Sequence, residues 1–330
     1  MNLPQPLLPH ALDALSDAED YQYGYIPSIS LGVVFIVLFS TTALLHLGQI
    51  VYGRRYWFMI CMVIGGGLEV LGWSARLWSH FKSELYGPYV VQICCLIVAP
   101  TFYSASLYWA AGLAIARVAP HKSCIPPKWF KAMFICADVV SLVVQAAGGG
   151  MAGSNNGTNT STIKTGSNVM LTGIVIQLVV MLFYVTYMTL WAYVAREDVG
   201  VAGRRFQYML LAMAVASFGI IVRGCYRTVE LSEGIYGWLG SQQIWQLFDA
   251  VPVCFSSYVL NIVHPHWFLV YSHDINSQLP TLEKHRGSSL QAANGSARTE
   301  SNEGSRSDET GPAQGVRGVY ARFFRRHAQV

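Results

Sequence analysis

Apolar runs of twenty or more residues recur along the chain, separated by short polar breaks, and this rhythm predicts seven membrane-crossing helices. They fall at 26–52, 56–78, 88–117, 129–152, 169–194, 206–230 and 242–271. Each can cross a hydrocarbon core of about 30 Å at a rise of about 1.5 Å per residue. The second run carries Gly65, Gly66, Gly67 and Gly72, small residues that admit a neighbouring helix closely. Pro100 predicts a kink in the third. The fifth is almost free of charge and is expected to face lipid more than the others. A Gly/Ser/Asn/Thr loop is expected over 153–167.

The pattern therefore predicts an all-α polytopic membrane protein, a seven-transmembrane helix bundle over 26–271. An extracellular tail over 1–25 precedes it. A Ser/Gly/Glu-rich cytosolic tail over 272–330 follows, too polar to bury a core and expected to be disordered. The opening tail holds Asp13, Asp17, Glu19 and Asp20 and no Lys or Arg. It lacks the basic and apolar regions of a cleavable signal peptide, so the first run is expected to serve as an uncleaved signal.

Composition agrees with the pattern: the chain is 53% hydrophobic and 12% charged, whereas soluble domains carry roughly 25% charged residues. Mean hydropathy is +0.36. A net charge of +4 does not indicate nucleic acid here, because the basic residues sit in the short breaks between runs. With Arg54, Arg55, Arg117, Lys122, Lys128, Lys131, Arg196, Arg204 and Arg205 on the cytosolic side, the opposite loops keep little beyond Lys82 and Lys164. The positive-inside rule then sets the N-terminus outside and the C-terminus in the cytosol. Two glycosylation sequons, at Asn156 and Asn159, fall on the outer side of this topology. The seven cysteines show no zinc spacing and are read as small buried hydrophobes. His46, His264 and His266 fall toward the cytosolic side and could meet, but they form no metal motif, and neither metal nor cofactor is expected.

Charges inside the runs change the picture most. Arg223, Arg227 and Glu230 stand at i, i+4 and i+7, on one face of a continuing helix. Glu69 and Arg76 are seven residues apart in the second run, Asp138 and Gln145 seven apart in the fourth; Gln92 lies in the third and Asp249 in the seventh. Ionisable groups at membrane depth face the bundle interior and pair with one another. Depth counting brings these groups toward the outer half of the bundle, with Asp138 near mid-membrane. The expectation is a polar cavity there, in which Glu69, Asp138 and Asp249 serve as counter-ions for Arg76, Arg223 and Arg227. The plainer reading makes these charges structural ion pairs and interfacial anchors that fix helix register, with Arg76, Arg227 and Glu230 close enough to water to snorkel, and makes the two glutamines interhelical hydrogen-bond partners.

In six blocks, in order, the chain resembles the fungal RTA1-like proteins, the lipid-translocating exporter family. The blocks are Glu69 with Gly72 and Arg76; Gln92 through Ala99-Pro100 to Ser106 and Tyr108; Asp138 to Ser141 with Gln145 to Gly150; Arg223 with Tyr226, Arg227 and Glu230; Asp249 to Pro252; and Asn261 with His264-Pro265. The resemblance implies a fungal plasma-membrane protein that exports or flips sphingoid bases, phospholipids or toxic amphiphiles. One branch implies porphyrin or haem handling. Membrane lipids and an amphiphilic small molecule are the expected partners, and no enzymatic activity is expected. No G-x-x-x-x-G-K-[ST] motif is present, so the chain encodes no ATP-driven step of that kind. A seven-span receptor is the alternative class. Against it, Ala114-Ile-Ala-Arg117 has no acid before its arginine, and the seventh run has no lysine for a retinal Schiff base. A seven-span zinc hydrolase would need ligands at one depth, whereas the histidines lie away from the acids.

Overall fold

The computed structural model describes residues 26–53, 57–82, 85–153, 160–233 and 243–264. The described residues are helical, with no strand among them. Six helices are long and apolar enough to cross a membrane: α1 (Ile29–Gly53), α2 (Ile60–Phe81), α3 (Tyr86–Val118), α4 (Pro127–Gly153), α5 (Thr160–Val194) and α7 (Arg204–Ser232). A short α6 (Arg196–Val201) joins α5 to α7, and α8 (Leu247–Ile262) follows a 3-10 turn over Gln243–Gln246. The chain is thus an all-α polytopic membrane protein. The seventh expected span is described only through α8, 16 residues long, and most of the tails and both sequon asparagines lie outside the described residues.

Consecutive helices pack as hairpins, most extensively α1 on α2, α2 on α3, α4 on α5 and α7 on α8, while α8 also returns to α1 and α5 to α7. Thr42 of α1 hydrogen-bonds Ser257 of α8 at 2.7 Å, and the Tyr258 hydroxyl donates to Leu38 O at 3.1 Å. Toward the opposite side of the bundle, Tyr108, Phe130, Phe134 and Tyr184 stack with ring centroids 4.9–5.8 Å apart, tying α3, α4 and α5 together. Because the lipid side is also apolar, many large side chains such as Phe183, Phe218 and Leu211 stay on the outer surface.

The helices depart from the sequence expectations at three places. The loop expected over 153–167 is helical from Thr160 onward. Gly166 explains why: a Cβ there would lie 2.6 Å from Ala152 N and 2.7 Å from Gly148 O, so backbones meet backbones and this packing overrides the weak helix propensity of Ser, Thr and Gly. Second, α5 is no more exposed than α1 or α4. It is clamped to α4, and at Gly173 a Cβ would stand 2.9 Å from Ser141 O. Third, of the cysteines only Cys254 is buried, while Cys124, Cys136 and Cys225 are exposed. For Cys136 and Cys225, which lie within membrane-crossing helices, lipid offers a small apolar side chain the same environment as a core.

The α4–α5 contact makes a clear stability prediction. Gly173→Val should lower the thermal midpoint of the detergent-solubilised protein by the equivalent of about 1–3 kcal/mol of overpacking. Gly67→Ala, where nothing lies within 4 Å, should leave it unchanged in the same melt.

Candidate functional site

Close approach of α7 and α8 positions the charged residues. At Gly219 a Cβ would lie 2.7 Å from Pro252 O, and the Ser256 hydroxyl donates to Ala216 O at 3.0 Å. One turn before Pro252, Asp249 therefore faces α7 where Arg223 and Arg227 project. Its Oδ1 lies 2.9 Å from Arg223 Nε and 2.9 Å from Arg227 Nε, and Arg227 NH2 reaches Oδ2. Arg227 NH1 also donates to Glu230 Oε2 at 2.9 Å, and Gln246 Nε2 to Glu230 Oε1 at 3.0 Å. Arg223 NH2 reaches the carbonyl of Leu96 on α3.

From α2, Glu69 lies within electrostatic range of Arg223, Asp249 and Arg227, and Arg76 within range of Asp249. The Arg76 guanidinium sits 5.8 Å from the Trp73 ring centre. Three cations and three acids are thus gathered from α2, α7 and α8. All six are buried, from 1% exposed at Arg76 to 8% at Glu230. None of the three side chains on α7 snorkels to an interface, which removes the anchor half of the plainer reading and leaves its ion-pair half. Three crevices among the described residues are lined by other side chains. Within the described residues the charges neutralise one another directly.

Asp138 and Gln145 are not brought into that cluster. Asp138, 1% exposed, accepts a hydrogen bond from Ser104 of α3, while its Oδ1 has no partner among the described residues. The Tyr108 hydroxyl also interacts with this carboxylate, in a looser approach. Asp138 has no ion pair among the described residues, so its expected role as counter-ion to the arginines fails, because α4 packs on α3 and α5 rather than against α7 and α8. Glu69 likewise has no direct ion pair there, although it faces the cationic group. Gln92 is buried on α3.

Gln145 belongs to an amide ladder that the sequence did not reveal in full. Ser141 donates to Gly173 O at 2.7 Å, Gln145 Nε2 donates to Ser141 Oγ at 2.8 Å and to Gln177 Oε1 at 3.1 Å, and Gln177 Nε2 donates to Thr101 Oγ1 at 3.2 Å. Gln177 was the missing partner. Its signal was available, since a lone amide in an otherwise apolar run needs a hydrogen bond across helices. Of the histidines, His46 and His264 do meet, with ring centres 6.1 Å apart; His266 lies outside the described residues.

A polytopic helical membrane protein with an internally neutralised charge cluster and a separate polar ladder is what the fold and site define. Residues 62–271 match the family described as RTA1 like protein, and the chain belongs to that family. It is 30% identical over 297 residues to the "Sphingoid long-chain base transporter RSB1" of Saccharomyces cerevisiae strain Lalvin EC1118, covering 78% of this chain and 77% of that one. It is 25% identical to "Protein RTA1" of S. cerevisiae strain S288c, covering 78% and 89%, and 27% identical to S. cerevisiae "Protein RTM1", covering 74% and 91%. No solved structure matches.

Asp249 is the group whose loss should be felt most in stability. Asp249→Asn leaves two buried guanidinium groups undercompensated and should destabilise the solubilised protein by roughly 3–5 kcal/mol. Adding Arg223→Met should recover part of the loss in the same thermal assay; no recovery would mean that the two side chains do not act as a pair.

Proposed function

We propose that the protein moves amphiphilic lipids with cationic heads, of the sphingoid-base type, across the plasma membrane, as a transporter and not an enzyme. Its place in the RTA1-like family and its similarity to a relative named as a sphingoid long-chain base transporter support this reading. The observation that carries it is Asp138, a carboxyl group at membrane depth that meets the Ser104 and Tyr108 hydroxyls and has no ion pair among the described residues. A buried carboxylate is costly unless paired, so such a group is suited to receive an ammonium head or a proton. Asp249 is not suited in this way, because two arginines already occupy both of its oxygens.

The roles divide accordingly. Asp138 and, beside the cationic cluster, Glu69 are the acids with capacity for a ligand. Arg223, Arg227, Asp249 and Glu230 hold α7 and α8 in register, with Arg76 beside them on α2. Movement is facilitated, or coupled to protons through Asp138. The lipid tail stays in the bilayer while the head crosses. The loop charges support an outside N-terminus and a cytosolic C-terminus.

Release of labelled sphingoid base from cells tests the proposal. At equal surface level, Asp138→Asn should cut release by about tenfold or more, the scale of one charged hydrogen bond, and Glu69→Gln should also reduce it. Release equal to the unaltered protein in both variants would sink the transport reading. Topology has its own check. Replacing Asn156 and Asn159 together by Gln should abolish any endoglycosidase-sensitive mobility shift, whereas a shift that depends on Asn294, in the sequon Asn294-Gly-Ser296 of the C-terminal tail, would reverse the orientation.

A further inference from the structure

A crevice of about 480 Å³ lies between α3, α4 and α5, on the outer side of the amide ladder. Its walls are Val90, Cys94, Ile97 and Val98 of α3, Ala146 and Gly149 to Gly150 of α4, and Met170 of α5. Ala146 and Gly150 are exposed, so the crevice opens on the lipid-facing surface of the bundle. Its volume is within the range of small-molecule sites, roughly 300–1,000 Å³. One polar side chain, Gln145, forms part of the wall.

Which end of that amide remains for a ligand follows from proton counting. The single hydroxyl proton of Ser141 goes to Gly173 O, so Ser141 Oγ can only accept from Gln145. The second Gln145 proton goes to Gln177 Oε1, whose own amide nitrogen is turned to Thr101. Both donors of Gln145 are therefore spent. Its Oε1 is left without a partner among the described residues, in a side chain only 2% exposed. Leaving a buried acceptor unmade costs about 1–3 kcal/mol, a cost that a hydrogen-bond donor reaching it from the crevice relieves.

We propose that this crevice binds a single-chain amphiphile whose head carries an N–H or O–H donor, with the head on Gln145 and the alkyl chain along the α3–α4 wall. A water molecule is a poor occupant, because it needs two to four polar partners and the wall holds one polar side chain. An acyl chain alone leaves Oε1 unmade. A choline head has no N–H to offer, and a phosphodiester adds only acceptors, so phosphatidylcholine is excluded by the same chemistry. The inference deepens the transport reading and rests on it for its biological use, since Gln145 lies two helical turns from Asp138 on the same face of α4.

The test is photolabelling of the purified full chain in phosphatidylcholine vesicles with an octadecylamine carrying a mid-chain diazirine. Label should concentrate on the segments around Cys94 and Met170. Unlabelled octadecylamine should displace it at a concentration at least about tenfold lower than octadecyltrimethylammonium, which has no N–H. Gln145→Met should erase that preference. Gly149→Leu, which fills the crevice where a Cβ already stands 3.6 Å from Cys94 Sγ, should remove the label while leaving the amide in place. Label spread evenly over the lipid-facing helices, equal competition by the two amphiphiles, or an unchanged preference in Gln145→Met overturns the proposal. The two readings fail separately. Focused, donor-selective labelling with normal release by Asp138→Asn and Glu69→Gln leaves the binding site standing and removes the transport role, whereas diffuse labelling with release lost in Asp138→Asn removes the crevice alone.

Discussion

Hydrocarbon cannot solvate a charge, and most of the interior follows from that constraint. Three cations and three acids from α2, α7 and α8 are buried together because each would be too costly alone. Asp249 is the pivot, since it takes both arginines of α7 at once and does so from a different helix. Such a network contributes little net stability relative to an apolar core, but it tolerates few alternative arrangements: moving α8 along α7 by one turn would strand two guanidinium groups. Its consequence is register. The close approach of Gly219 to Pro252 and the Ser256 hydrogen bond to Ala216 fit the same alignment.

A different economy governs α3, α4 and α5. Their contacts are hydroxyl and amide hydrogen bonds, with backbone against backbone at Gly148, Gly166 and Gly173. Neutral groups can be buried with partial satisfaction at a cost of a few kcal/mol, which a packed helix pair can carry. Among the described residues, Asp138 Oδ1 and Gln145 Oε1 are two such acceptors, left over on one face of α4.

Much of this was legible in the sequence. The length and polarity of the runs placed six helices to within a few residues, apart from the start of α5, because hydropathy reports burial in lipid directly. The i, i+4, i+7 spacing correctly put Arg223, Arg227 and Glu230 on one buried face. What could not be read was which helices neighbour which. Depth along a helix is a matter of counting, whereas rotation and neighbourhood depend on side-chain packing that no single run contains. Asp138 and Asp249 looked equivalent for that reason, both acids at membrane depth, yet one faces α7 and the other faces Ser104. The start of α5 was missed for a related reason: Gly166 reads locally as a loop residue and acts in the fold as a contact surface.

The separation of the two polar systems bears on how the bundle could act on an amphiphile. A cation entering the Asp249 cluster would have to displace an arginine from a bidentate pair, losing charge-assisted hydrogen bonds in order to form weaker ones. A cation meeting Asp138 displaces nothing charged among the described residues, only the approach of a neutral hydroxyl. Differential interaction is what allows a ligand to shift a conformational equilibrium, and an acid without an ion pair among the described residues, Asp138 or Glu69, offers an interaction absent when the ligand is absent. The saturated cluster is thus the fixed reference of the bundle, and the acids without an ion pair are where binding energy can be newly gained.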